Sequence, residues 1–214
     1  MRPILVTGFT PFADLAANPS AIVVADLAAR PLPGVEIATR LVDVRYATAA
    51  AEIVDACAAL RPAAVVCFGL ARGRDAVCLE RFAVNVDDSA TADNGGAVRR
   101  GTAIRPDGPA AYGATLPLAA IGEALEAEGL PWRFSNHAGA FLCNHVFYAV
   151  RHHFAAAGSA VPAGFVHLPP LPPEAGSLAP EGQCRAARRI VGAVAAAIGS
   201  DRREAARAPR RLAG

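Results

Sequence analysis

Residues 140–169 read AFLCNHVFYAVRHHFAAAGSAVPAGFVHLP. Residues 140–157 predict a helix. AGFVHLP, at 163–169, predicts a buried strand that Pro169 closes. A helix returning to an apolar strand is the building unit of a sheet covered by helices.

The same alternation recurs outward from that unit. RPILVTGF (2–9) and AAVVCFG (63–69) are short apolar runs that reach glycine, and PWRFS (131–135) is another short strand. GVEIATRLVDVRY (34–46) is β-branched and alternating. Helices are expected over 21–30 with Ser20 as cap, 47–61 before Pro62, 116–129 with Gly129 near its end, and 181–199. AVCLERFAVNVDD (76–88) reads as one strand running out into polar loop. Residues 87–113, rich in Asp, Asn, Gly and Pro, read as irregular apart from a short strand near Ala103. The expected fold is a three-layer α/β/α sandwich on a mixed, largely parallel sheet. It forms one domain over residues 1–200, followed by an Arg-rich tail at 201–214 expected to be frayed.

Composition narrows the chemistry. All 21 basic residues are Arg; the chain has no Lys. That excludes a Schiff-base lysine, a Ser–Lys dyad, a P-loop and kinase chemistry. No serine sits in GxSxG. The tail carries a net +3, so with +2 overall the rest carries −1. No basic face for nucleic acid is expected on the body. No run approaches the ~20 apolar residues of a membrane span, and the start lacks a secretory pattern. Five cysteines without a CxxC pair fit free thiols in a reducing cytoplasm.

Cys143 falls in the first turn of the helix after Gly139. The unpaired amides there would favour a thiolate and lower its pKa. A small thiol packed in the core remains an equal reading. A nucleophile would need a histidine as base. His145 lies about 200° around the helix from Cys143. His152 and His153 lie more than two turns on, and His137 sits in an exposed turn. His167 ends a strand, where such sheets place ligands, as do Gly8–Phe9 and Gly69–Leu70. Glu80 shares an alternating face with Cys78, Phe82 and Val84, and could orient the base; Asp87, Asp88 and Asp93 are alternatives. A metal on Cys143, His145, His152 and His153 has poor spacing. GLARGR (69–74) is a weak phosphate motif without Lys.

The motifs VTGFTPF…NPS, GLARGR…LERFAVNVDD…DN, SNHAGAFLCNHVFY and FVHLPPLP, in that order, resemble the pyroglutamyl-peptidase I (pyrrolidone-carboxylate peptidase) family of cysteine exopeptidases over residues 3 to 197. The resemblance implies a Glu80–Cys143–His167 triad acting through an acyl-enzyme on peptides with an N-terminal pyroglutamate. It implies no cofactor and no metal. An apolar ring pocket would involve Phe9, Phe12, Leu70, Phe141 and Leu142. It also implies a homo-oligomer, a tetramer in some members, in the cytoplasm, with no nucleic-acid or membrane partner. Three positions depart from the family pattern: Leu70 stands where many members have Gln, Arg72 where they have Gly, and Ala90 where Arg is usual. Each lost contact would cost about 1–3 kcal/mol if uncompensated, and Arg72 or Arg74 would partly replace the missing cation. The alternatives are an amidohydrolase or acyltransferase on another amide, or a low-activity binding member.

Overall fold

The computed structural model describes residues 2–13 and 15–207, with side chains through residue 200. A six-stranded sheet has the order β2-β1-β3-β10-β4-β9. Its strands are β1 (Ile4–Phe9), β2 (Ile37–Val42), β3 (Ala64–Leu70), β4 (Val77–Glu80), β9 (Trp132–Ser135) and β10 (Ala163–Leu168). All neighbours run parallel except β10 and β4, which are antiparallel. The expected mixed, largely parallel sheet is therefore present.

Alternation along the strands sorts the helices into two layers. Ile4, Val6, Val66, Phe68, Val166 and Leu168 pack on one face. That face is covered by α1 (Pro19–Ala29), α3 (Leu118–Glu126) and α5 (Pro180–Arg207). Leu5, Val65, Cys67 and Phe165 point the other way, under α2 (Ala49–Leu60) and α4 (Leu142–Ala156). Local signals set the helix ends. Asn18 caps α1 through its side chain, which accepts from Ser20 N, and Pro19 opens the helix. α2 stops as Arg61 turns left-handed at φ 46° before Pro62.

The expected single strand over 76–88 is broken into three pieces. Arg81 N still donates to Ser135 O at the sheet edge. The chain then leaves to pair β5 (Phe82–Val84) with β8 (Ala111–Gly113), and β6 (Asp87–Ser89) with β7 (Arg99–Thr102). The stretch expected to be irregular thus holds short antiparallel ribbons whose polar sequence conceals their pairing. Phe82 consequently lies outside the face of Cys78 and Glu80, and it is 47% exposed. α5 runs through 201–207, where a frayed tail was expected; residues 208–214 lie outside the described residues.

Candidate active site

α4 is antiparallel to the strand it precedes, so its first turn stands beside the end of β10. The turn into α4 uses Gly139 at φ +80°, a conformation that L side chains rarely adopt. Phe141 is the extended N-cap and makes no side-chain capping bond. Cys143 is the second residue of the helix and is half-buried. The backbone amides of this first turn have no partner within the helix.

Register brings the other groups to the same face. His167 pairs with Gly69 on parallel β3 and with Cys78 on antiparallel β4. In-register residues project the same way, as do Cys78 and Glu80 two apart. His167 and Glu80 are both buried, and Nδ1 of His167 lies 2.7 Å from Oε1 of Glu80. A Cβ built on Gly69, the neighbour of His167, would fall 2.8 Å from Sγ of Cys143. The sulfur therefore occupies the space that Gly69 leaves open beside the imidazole, with adjacent strands only ~4.8 Å apart.

The protonation pattern follows. Burial raises the Glu80 carboxyl, but the hydrogen bond and charge of His167, with Ser135 and Arg74, outweigh it and hold the group below its ordinary 4.5. An ionised Glu80 only accepts, so Nδ1 of His167 carries the proton and donates to it. Nε2 is left as the basic nitrogen. Burial lowers the imidazole below its ordinary 6.5 despite Glu80, and the Arg74 charge lowers it further. Cys143 departs from expectation. Burial, then Glu80 and Cys67, push its thiol up to about 12 against Arg74. Desolvation overrides the helix end, so the resting pair is a neutral thiol and a neutral imidazole.

A cavity of about 210 Å³ opens next to the sulfur. Phe9, Phe12, Leu70, Phe141 and Leu142 all line it, together with Asn18, Arg72 and Cys143. The Phe12 and Phe141 rings stand 5.3 Å apart. Its wall is mostly apolar, as suits a small uncharged ring.

The other sequence candidates lie elsewhere. Asp87 is buried under Arg99 and His145, at 2.7 and 2.9 Å. Asp88 is exposed, and Asp93 accepts from the amides of Tyr46, Gly95 and Ala97. His145 faces away from Cys143, edge-on to Tyr46. His152 bonds the Tyr112 hydroxyl, and exposed His137 accepts from Gly139 N. Among the described residues no group of three or more His, Cys, Asp or Glu side chains is arranged to hold a metal ion, and Cys143, His145 and His152 of the poorly spaced metal set turn to different partners. Ala90 is exposed just past β6.

Two further residues stand near the site, one expected only as a stand-in cation and one missed by the sequence reading. Arg74 ion-pairs with Glu80 at 2.6 Å, although GLARGR suggested phosphate. Asn144 is fully buried and bonds Val84 and Val86. Its place next to Cys143 was the available signal.

The sequence profile of the pyroglutamyl peptidase family matches residues 2–204. Pyrrolidone-carboxylate peptidase of Vibrio vulnificus strain YJ016 is 42% identical over 175 residues, 82% of each chain. That of Cupriavidus taiwanensis is 44% identical over 177 residues, again 82% of each. Among solved structures, pyrrolidone carboxyl peptidase from Thermococcus litoralis superposes with a TM-score of 0.89 at 29% identity, covering 94% of this chain and 96% of that one. Pyroglutamyl peptidase I from Bacillus amyloliquefaciens gives 0.87 at 31% identity, covering 91% and 95%. Among the described residues, no helix is long and apolar enough to cross a membrane.

Proposed function

The chain belongs to the pyroglutamyl peptidase family, and from that membership we propose that Cys143, His167 and Glu80 perform its hydrolysis. Its activity is that of a cysteine-type pyroglutamyl peptidase. The substrate is a peptide with an N-terminal pyroglutamyl residue, whose ring enters the cavity beside Cys143.

With the ring seated, His167 Nε2 takes the thiol proton as Sγ attacks the pyroglutamyl carbonyl. The developing oxyanion accepts hydrogen bonds from the free amides at the start of α4. The imidazolium gives its proton to the leaving amine, the C–N bond breaks, and a thioester remains. Water then attacks the thioester, passing a proton to His167, and the returning sulfur recovers one. Glu80 keeps Nδ1 protonated and stabilises the imidazolium.

One observation carries this reading. The 2.7 Å Glu80–His167 bond and the Cys143 sulfur lie on one face, in register through Gly69. The reading extends to a cytoplasmic homo-oligomer, tetrameric by resemblance, that acts on peptides with no nucleic-acid or membrane partner. Five free cysteines and a near-neutral body support that setting, and exposed Phe82 and Phe134 support self-association.

The test is release of a fluorescent amine from a pyroglutamyl conjugate under reducing conditions. The wild type should turn over, while folded Cys143→Ala and His167→Ala should not. Full activity in either variant removes that residue from the chemistry.

A further inference from the structure

Arg74 stands in the loop between β3 and β4, outside the three residues assigned to the chemistry. Its Nη1 donates to Glu80 Oε1 at 2.6 Å and to Ser135 Oγ at 3.1 Å, and its Nη2 donates to His137 O at 3.3 Å. Ser135 Oγ in turn donates to the same His137 carbonyl at 3.2 Å. One guanidinium thus joins the buried carboxylate to the end of β9 and to the turn that enters α4.

The charge balance gives this bridge a purpose. Glu80 is fully buried, and a buried anion without a cation is costly. His167 supplies a cation only in the steps where it holds the transferred proton. At rest, and again in the acyl-enzyme, His167 is neutral. Arg74 is then the full positive charge at Glu80, since among the described residues the ion pairs of Glu80 are with Arg74 and His167. The neighbouring arginines point elsewhere: Arg72 to Glu174, Arg81 to Asn136 and Phe134, Arg133 to Asp75.

We propose that Arg74 is a positioning residue for the hydrolysis. Its fixed charge keeps Glu80 ionised while His167 is neutral, and its bridge to Ser135 and His137 ties that carboxylate to the turn that delivers Cys143. The proposal rests on the assignment of Cys143, His167 and Glu80 given above.

Steady-state kinetics on a pyroglutamyl fluorogenic amide, from about pH 5 to about pH 9, test it in Arg74→Gln, Arg74→Lys, Glu80→Gln and the Glu80→Gln/Arg74→Gln double variant. Arg74→Gln should lower kcat about tenfold or more at unchanged KM, as loss of a supporting partner does at other sites. It should also move the acid limb of kcat/KM to higher pH. His167 is faced by Glu80 and Cys78 from β4, by Cys143 from α4 and by Arg74, and the change removes its like-charged neighbour. In the Glu80→Gln background, Arg74→Gln should change kcat less than about twofold, because coupled residues are not additive. Arg74→Lys should recover most of kcat.

A wild-type kcat and pH profile in Arg74→Gln would overturn the proposal. So would a purely structural outcome: a lowered Tm, an unmoved acid limb, and a loss that multiplies in full with Glu80→Gln. Should Arg74→Gln not fold, Arg74→Lys decides. Near-wild-type kcat supports the charge, and a loss as large as that of Glu80→Gln overturns it. Activity surviving in Cys143→Ala would instead overturn the triad itself, which separates the two failures.

Discussion

A side-chain carbon on Gly69 would meet the Cys143 sulfur at 2.8 Å and the Phe165 ring at 2.7 Å. Neither neighbour is free to retreat. Phe165 is fully buried in the core under α4, and the sulfur is fixed to the first turn of that helix. Gly69→Ala should therefore displace the sulfur from His167 while leaving the rest of the cavity standing. An ångström of misplacement at a reacting atom can cost about 100-fold, so kcat should fall by that order. The overpacking should lower stability by about 1–3 kcal/mol. Steady-state kinetics and urea unfolding check the two numbers separately; unchanged kcat would mean that the sulfur works from another position.

The pH dependence follows from the two lowered groups. Neutral His167 is the base, and its pKa lies below 6.5. The acid limb of kcat/KM should therefore lie below pH 6.5, with no loss on the alkaline side until well above neutrality, since the thiol is pushed up to about 12. Stability moves with the same sign. The unfolded chain binds a proton at His167 before the folded one does, so stability present above 6.5 is lost as pH falls through the folded pKa. Glu80 adds a second loss below its ordinary 4.5. Tm measured against pH should drop on acidification in the wild type, and less steeply between 6.5 and 4.5 in His167→Asn. Parallel curves would assign the acid sensitivity to other groups.

How much of this was legible in the sequence can be judged residue by residue. The central strands β1, β3 and β10 announce themselves because buried parallel strands are nearly continuous apolar runs, as in AVVCFGL of β3 and AGFVHL of β10, while the partly exposed edge strands β2 and β9 show as an alternating β-branched run and a short strand. β5 to β8 do not, because their side chains are polar or exposed and their pairing is set by distant partners: Phe82 with Gly113, Asp87 with Thr102. Local pattern carries no such information.

The site divides in the same way. His167 and Glu80 stood out as polar groups on apolar strands and Cys143 by its place in the first turn of a helix, and the resemblance joined the three into a triad. The sign of the thiol shift was not readable, because burial is a tertiary property and here it outweighs the helix end. Arg74 was legible only as a stand-in cation in its loop, not as the partner of Glu80. Its partner Glu80, six residues on across a reversal of chain direction, exists only once β4 has folded back along β10.

Leu70 makes the pocket wall less polar at a position lining the same cavity as Cys143. The lactam of pyroglutamate carries an N–H and a carbonyl that a Gln side chain can bond. Leu70→Gln should lower KM for a pyroglutamyl amide by roughly 3- to 10-fold, the worth of about one net hydrogen bond. kcat should stay within about twofold, because that bond is made equally in ground and transition states. A raised KM would show that the pocket reads its ligand through apolar contact at this position.

Asn144 joins the catalytic helix to the ribbons beside it. Its Oδ1 accepts from Val84 N at 2.9 Å, and its Nδ2 donates to Val84 O at 2.9 Å and Val86 O at 3.0 Å. The amide thereby takes the place of a missing neighbouring strand for β5, and it does so from a fully buried position. Asn144→Ala removes the partner of Val84 N and Val86 O, while Val84 O keeps only Val86 N, and each buried orphan costs about 1–3 kcal/mol. The expected loss is about 3 kcal/mol or more by urea unfolding. Asn144→Asp should fare no better, because a carboxylate can accept from Val84 N but cannot donate to either carbonyl, and it adds a buried charge. Activity should fall with stability in both variants, since Cys143 is the preceding residue on α4. The catalytic effect should lie in kcat, because the cavity lining residues other than Cys143 touch none of these bonds. A variant with wild-type stability would mean that β5 holds its edge without the side chain.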